Sequence, residues 1–210
     1  MSMPMNFVKS FAVCFSILLT IKSSASQSLN TPEKERKAIK DFFNYVDITT
    51  DFKLNNMLKM TQSFVEQLLN SIPYDDRGNT AELLQQYIDK AENLRYHGVS
   101  IEEKENMLLE LRELIALTRS GLEKQEKEDM ILKQNMLGMF ELLARLAIEE
   151  RRQSEKFSKA SSLLRRRFTS EGIQRHQQLF DLLYELEQEQ DIVNREALFR
   201  NLKDLRAQIM

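Results

Sequence analysis

Apolar side chains recur at intervals of three and four residues along almost the whole chain from residue 32 to residue 209. The series Leu179, Leu182, Leu183 and Leu186 is typical of this spacing. An α-helix turns once every 3.6 residues, so such a series forms an apolar stripe along one side of an amphipathic helix. Only five glycines and three prolines occur among 210 residues, which is too few turn residues for a β-sandwich or a glycine-rich α/β fold. The sequence therefore predicts an all-α protein.

Local signals divide the chain into predicted helices over residues 32–71, 80–97, 101–168 and 171–209. In the first of these, Pro32 suits the first helical position, and Pro73 forces the residue before it out of the helical region. Residues 47–51 are rich in β-branched and cap-forming side chains, and we expect them to break or kink this helix.

Two capping boxes are predicted, in which a side chain at the helix start and a Glu three residues later satisfy each other's backbone N–H groups. One consists of Asn79 and Glu82, and the other of Ser100 and Glu103. They indicate where the second and third helices begin.

The segment from residue 101 to residue 168 contains no proline, and as one helix it would be about 100 Å long. Its weak point is Gly121, because glycine costs about 1 kcal/mol relative to alanine inside a helix. We expect a bend or hairpin near Gly121, and an unbroken rod is the alternative. The predicted architecture is an elongated antiparallel helical bundle, or coiled-coil-like hairpins with a long central helix, in a single domain over residues 26–210.

Residues 1–25 have the pattern of a cleavable secretory signal peptide. Mostly apolar residues at 11–21 follow Lys9 and precede small residues, and Ala25 is the expected last residue before cleavage. The apolar segment covers about 16 Å, roughly half of a bilayer core, so it is too short to span a membrane. A buried N-terminal helix is the alternative. The expected location is therefore extracellular, or periplasmic if the source is bacterial.

Catalytic chemistry has no recognisable motif in this sequence. Cys14 is the only cysteine and lies within the predicted signal peptide. The two histidines, His97 and His176, lack the spacing of metal ligands and are expected at the surface. Neither a glycine-rich phosphate loop nor a Gly-x-Ser-x-Gly motif occurs. We therefore predict a non-enzymatic protein with no cofactor, no metal ligand and no catalytic residue.

The charge is slightly acidic overall but unevenly distributed. The formal net charge is −2, and it becomes −4 without residues 1–25, which contain two lysines and no acid; no nucleic-acid partner is expected. Residues 101–129 contain nine acids and five bases, whereas residues 145–175 contain nine bases and four acids. Either these acidic and basic helices pair with each other, or the bases form an exposed interaction strip.

The residues of this predicted basic strip are Arg151, Arg152, Lys156, Lys159, Arg165, Arg166 and Arg167. A solvated helical turn is expected at Arg165–Arg167, and a proteolytic processing site is the alternative there.

Two functional hypotheses follow from the sequence. The first is a secreted helical protein that acts by association with a protein partner or with copies of itself. The second is binding to lipid or membrane surfaces through amphipathic helices, against which the acidic net charge and the absence of tryptophan count. In either case the apolar series Met136, Met139, Phe140 and Leu143 is expected to lie in the core.

Overall fold

The computed structural model describes residues 31–96, 99–121, 127–189 and 191–209. Within these residues the protein is all-α, without strands, as the periodicity predicted. A 3₁₀ turn occupies Tyr74–Asp76. The α-helices are α1 Pro32–Ser71, α2 Asn79–Tyr96, α3 Ile101–Gly121, α4 Lys127–Asn135, α5 Gly138–Arg167, α6 Ser170–Arg175, α7 Gln177–Gln188 and α8 Ile192–Ile209. The predicted signal peptide lies outside the described residues. Among the described helices, none combines the length and the apolar character needed to cross a bilayer.

Helix α1 begins and ends where the sequence placed its bounds. The backbone N–H of Lys34 donates to Oγ1 of Thr31 at 3.4 Å, so Thr31 serves as its N-cap. The break or kink expected at residues 47–51 does not interrupt the helix. The polar side chains of this segment bond to other helices instead of competing for their own backbone: Asp47 pairs with Arg206, and Thr49 accepts a hydrogen bond from Gln153.

An unbroken helix over residues 101–168, the alternative to a break near Gly121, does not form, because α4 ends at Asn135 and α5 begins at Gly138. Helix α3 ends at Gly121, where the bend or hairpin was expected. The residues that follow, 122–126, lie outside the described residues, so the bend itself stays a prediction. A second interruption, which the sequence did not indicate, separates α4 from α5. Tight bonds of the i→i+3 type join Met139 N–H to the Met136 carbonyl at 3.0 Å and Phe140 N–H to the Leu137 carbonyl at 3.2 Å.

The predicted helix over residues 171–209 is likewise divided into α6, α7 and α8. Oγ1 of Thr169 accepts a hydrogen bond from Gly172 N–H at 3.1 Å and caps α6. His176, at φ −115° and ψ 31°, separates α6 from α7 because this backbone conformation does not continue an α-helix. The carboxylate of Asp191 accepts from Asn194 N–H at 2.9 Å and begins α8.

The start of α2 is capped differently from the prediction. No Asn79–Glu82 box forms this cap: Oε1 of Glu128, a buried residue of α4, accepts hydrogen bonds from Gly78 N–H at 3.1 Å and Ala81 N–H at 2.7 Å. A carboxylate suits this position because the N–H groups at a helix start lack partners within the helix.

The capping box at the start of α3 is confirmed. Glu103 N–H donates to Ser100 Oγ at 3.2 Å, while Ser100 N–H donates to the Glu103 carboxylate at 3.0 Å. The Ser100 hydroxyl also donates to the Glu103 carboxylate at 2.7 Å. This bond, together with the one from Ser100 N–H, favours the charged carboxylate and lowers the pKa of Glu103.

The described chain forms two compact units. The first contains the described residues up to Ile48 together with those from Ser154 onward, and the second is Thr49–Gln153. Because the first unit joins segments from both ends of the described chain, the division does not cut the sequence into successive domains. The single domain over residues 26–210 stays a prediction.

Each unit has its own apolar core. In the first unit the most deeply buried large side chains are Ile39, Leu179, Phe180, Leu183 and Leu186. In the second unit they are Leu58, Ile72, Leu84, Met107 and Leu132.

The core of the second unit also contains a short hydrogen-bonded chain. The hydroxyl of Tyr87 donates to Thr61 Oγ1 at 2.9 Å, and Thr61 donates to the Leu58 carbonyl at 3.0 Å. Both polar side chains are thereby satisfied despite complete burial. Burial disfavours the phenolate and raises the pKa of Tyr87 to about 12.

Candidate functional site

All seven residues of the predicted basic strip lie on α5, but they divide between the two units. Arg151 and Arg152 belong to the second unit, and the other five belong to the first. Lys156 and Arg167 are half-buried, whereas the remaining five are exposed. The seven residues therefore belong to two groups, one in each unit.

Several of these bases already have partners. Arg152 pairs with Glu149 at 2.6 Å, and Arg151 and Lys156 are also engaged in polar or electrostatic contacts. Arg145 and Arg175, from the same basic segment, pair with Glu141 and Glu35. None of these acids lies within residues 101–129, so these ion pairs do not follow the predicted pairing of acidic with basic helices.

The most exposed apolar surface of the second unit lies at the start of α5. Leu137 is 75% exposed, Phe140 67%, Leu143 52% and Ile148 50%. The small side chains of Ala144 and Ala147 are exposed between them. Because α-helical residues three and four apart share one side, the five of these residues within α5 form a continuous strip, and Leu137 lies in the turn just before it. These six residues are called here the exposed α5 face.

The opposite side of α5 supplies the core. Leu142 is buried, and Met139 and Leu146 pack against the core of the second unit. The packed series predicted from Met136 to Leu143 is therefore wrong for Phe140 and Leu143, which are exposed. This part of the helix is apolar on two sides, and only one side can pack against its own unit.

The interruption before α5 allows a close approach to the second unit. An added Cβ on Gly138 would lie 3.4 Å from Cε2 of Phe64, so the helix start rests directly on this ring. The exposed α5 face therefore belongs to a helix that is anchored on its other side.

Charged residues of both signs flank the exposed α5 face. Glu141 and Arg145 form an ion pair at 2.6 Å, and their side chains are 68% and 61% exposed. Glu150 pairs with Lys53 at 2.8 Å. With Glu149, Arg151 and Arg152 included, three acids and four bases lie around this face, so both signs of charge are present in similar numbers.

The first unit contains a buried carboxylate that the sequence did not indicate. Glu35 is 0% exposed, and its two oxygens accept hydrogen bonds from Arg175 Nη2 at 2.5 Å and Nε at 3.2 Å. His176 Nε2 lies 3.4 Å from Oε2 of the same carboxylate, and its ring packs edge-on against Phe168 at 5.8 Å. The guanidinium and the imidazole favour the ionised form, so the pKa of Glu35 lies below its usual value.

This arrangement joins α1 to the segment around α6 and gives little indication of proton-transfer chemistry. A carboxylate whose pKa is lowered by a bidentate arginine is a weak base. His176 is half-buried against Phe168, so its expected position on the open surface is wrong. No local signal could have revealed the contact, because Glu35 and Arg175 are 140 residues apart.

Other candidate sites are weaker. No group of three or more His, Cys, Asp or Glu side chains in the described ranges is arranged to hold a metal ion. An open groove of about 670 Å³ lies between α7 and α8 and is bordered by Asp181, Glu185 and Asp204 with neutral polar residues. Three carboxylates without a basic or buried polar partner do not define a ligand.

Neither a protein-family model, nor a curated protein, nor a solved structure matches this chain.

Proposed function

We propose that this chain is a secreted, non-enzymatic helical protein that acts by protein–protein or self-association through the exposed α5 face. The observation that carries the proposal is the exposure of four large apolar side chains: Phe140, Leu143 and Ile148 on one side of an anchored helix, and Leu137 in the turn just before it. Contiguous exposed apolar patches of this kind mark binding surfaces in soluble proteins.

The isolated chain leaves a large part of these four apolar side chains in contact with water. Complete burial of a Leu, Ile or Phe side chain contributes about 1.5–3 kcal/mol. These four side chains are 50–75% exposed, so each retains about 1 kcal/mol or more of unused burial. A partner that covers the exposed α5 face would recover this free energy, and an apolar helix side meeting an apolar groove or helix is a common way to do so.

The finer architecture of antiparallel, coiled-coil-like hairpins also stays a proposal. Its support is the packing of α2 on α3 and of α7 on α8, each pair consisting of consecutive helices with a short connection. Helices joined by short loops usually run antiparallel to each other.

Lipid binding is the alternative, because an exposed strip of Phe, Leu and Ile on a helix also suits a membrane surface. The flanking charges weigh against it. Interfacial helices are typically rich in Lys and Arg, whereas acids as well as bases, three and four of them, border the exposed α5 face.

The test compares one exposed residue on the proposed surface with a matched residue elsewhere. Leu143 and Leu109 are both leucines and both 52% exposed. The full chain, expressed in a secretory host and purified, is tested by light scattering after size exclusion and by flotation with anionic vesicles. We expect Leu143→Ser, but not Leu109→Ser, to weaken association with protein. Equal effects of the two substitutions would contradict the proposed surface, and flotation lost only in Leu143→Ser would favour lipid binding.

Secretion requires a separate test, because its support is the sequence of residues 1–25 alone. We expect mass spectrometry of the protein recovered outside the expressing cells to find Ser26 at the N-terminus. Recovery of the protein only within the cells, with residues 1–25 retained, would contradict this part of the proposal.

A further inference from the structure

We infer that the occupant of the exposed α5 face is the same face of a second copy of this chain, packed antiparallel. This inference rests on the proposed function and names its partner. It is argued from the order of apolar, small and charged residues along one stretch of α5.

One pair of large apolar residues, Phe140 and Ile148, is symmetric about Ala144, whereas the counterparts of Leu137 and Leu143 are Arg151 and Arg145. Phe140 lies four residues before Ala144, and Ile148 lies four residues after it. In an antiparallel pair centred on Ala144, Phe140 of each copy therefore lies level with Ile148 of the other. Ala144 meets itself at the centre, and with Ala147 it offers little bulk, so two helix backbones can approach closely.

The flanking charges identify the partner further. In the same arrangement Glu141 of one copy lies level with residue 147 of the other, which is two residues, or about 3 Å along the helix, from Arg145. The twofold symmetry repeats this contact, so two Glu141–Arg145 pairs form across the interface. Both side chains are more than 60% exposed and therefore accessible to a second copy.

Other partners and orientations fit less well. A strongly acidic or strongly basic partner would meet charges of its own sign, because three acids and four bases border the face. In a parallel pair of helices, equivalent residues lie at the same level, so Glu141 would be level with Glu141 and Arg145 with Arg145. Only the antiparallel pair places opposite charges next to each other.

Charge reversal tests both the partner and the orientation. Sedimentation equilibrium of the full chain over about 1 µM to 1 mM is measured for the unaltered protein, for Glu141→Arg and for Arg145→Glu. Each single reversal places like charges across the interface, and we expect it to weaken dimerisation about tenfold. In an equal mixture of the two altered proteins, Arg faces Glu at both positions, so association is expected to return close to that of the unaltered protein. Glu113→Arg, which reverses an exposed charge on α3, is the matched control and should have no effect.

The outcomes separate this inference from the proposed function. A monomer at every concentration, combined with binding to another protein that Leu143→Ser weakens, would overturn the second copy but leave the proposed surface intact. A dimer whose mixed variants associate no better than each variant alone would overturn the antiparallel arrangement. A dimer unaffected by Leu143→Ser would overturn both proposals. Circular dichroism of each variant confirms that the helices remain folded.

Discussion

Replacement of Glu35 by glutamine tests whether the buried carboxylate stabilises the first unit. The substitution keeps the shape of the side chain but removes its charge and one acceptor oxygen. In the protein as it stands, both oxygens face donors: Arg175 at 2.5 and 3.2 Å, and His176 at 3.4 Å. In the glutamine, an NH₂ group replaces one of the two oxygens, so its N–H donors would face an N–H donor of Arg175 or the His176 nitrogen.

The expected loss in the free energy of unfolding is about 2–3 kcal/mol. Hydrogen bonds to charged groups contribute about 1.5–3 kcal/mol each, and breaking a fully buried ion pair costs about 3–5 kcal/mol. The value for Glu35 lies towards the lower end, because the Arg175 side chain is 44% exposed and water solvates it once its partner has lost its charge.

The assay is urea unfolding followed by circular dichroism, with Glu33→Gln as the control. Glu33 and Glu35 both lie in the first turn of α1, but Glu33 is exposed. The control therefore measures the loss of a negative charge near a helix start, about 0.3–1 kcal/mol, without the loss of the buried contacts. If Glu35→Gln costs no more than Glu33→Gln, the buried cluster does not stabilise the fold and the argument fails.

The same pair of proteins gives a prediction for pH. The pKa of Glu35 is lower in the folded protein than in the unfolded chain, so the unfolded state binds the proton more readily. The stabilisation is therefore complete above the unfolded value of about 4.3 and is lost as the pH falls through the folded pKa. We expect the difference in stability between the unaltered protein and Glu35→Gln to shrink as the pH falls through this acidic range. A difference that persists unchanged into strong acid would show that charge is not its cause.

Three further substitutions test separate contacts. Glu128→Ala removes the carboxylate that caps α2, and it is expected to cost about 1–2 kcal/mol in urea unfolding; a loss no greater than that of Glu82→Ala in the same turn would contradict this cap. Tyr87→Phe removes a buried hydroxyl, and we expect it to lower the free energy of unfolding by about 1 kcal/mol. It should also abolish the step in tyrosine absorbance near pH 12. If that step persists, it belongs to another tyrosine and the prediction for Tyr87 is wrong. Gly172→Ala places a Cβ 2.7 Å from a carboxylate oxygen of Glu35, and we expect it to lower the free energy of unfolding by about 1–3 kcal/mol. Gly138→Ala places a Cβ 3.4 Å from a ring carbon of Phe64 and should change stability little. Equal losses in the two variants would contradict crowding at Gly172.

Those parts of the fold that depend on local signals could be predicted from the sequence. Helix α1 follows its proline signals at both ends, and the Ser100–Glu103 box forms as expected, because these effects act within a few residues. The cap on α2 could not be predicted, since the carboxylate of Glu128 is 47 residues from the Ala81 N–H that it binds. The sequence instead offered Asn79, at the start of α2, as a local capping residue.

The exposed α5 face shows a second limit of periodicity. The spacing of apolar residues correctly predicted a helix, but α5 carries them on two sides, as Leu142 and Phe140 illustrate. Which side is covered depends on the position of other helices, here on Phe64 beside Gly138. The predicted basic strip stays a prediction, and the sequence did not indicate that its residues are shared between two units.

Gly172 shows how a correct local prediction can have a cause that the sequence does not reveal. The residues around it were expected to end one helix and begin another, and such a boundary is a common place for glycine. In the structure Gly172 lies inside α6, where glycine is normally unfavourable. The close approach of Glu35 explains it: a Cβ would lie 2.7 Å from Oε1 of that carboxylate and 3.1 Å from the Phe168 ring. The destabilisation by glycine in this six-residue helix is therefore offset, because the missing side chain leaves space for the Glu35 carboxylate that binds Arg175. This compensation depends on α1 and α6, which are distant in the sequence.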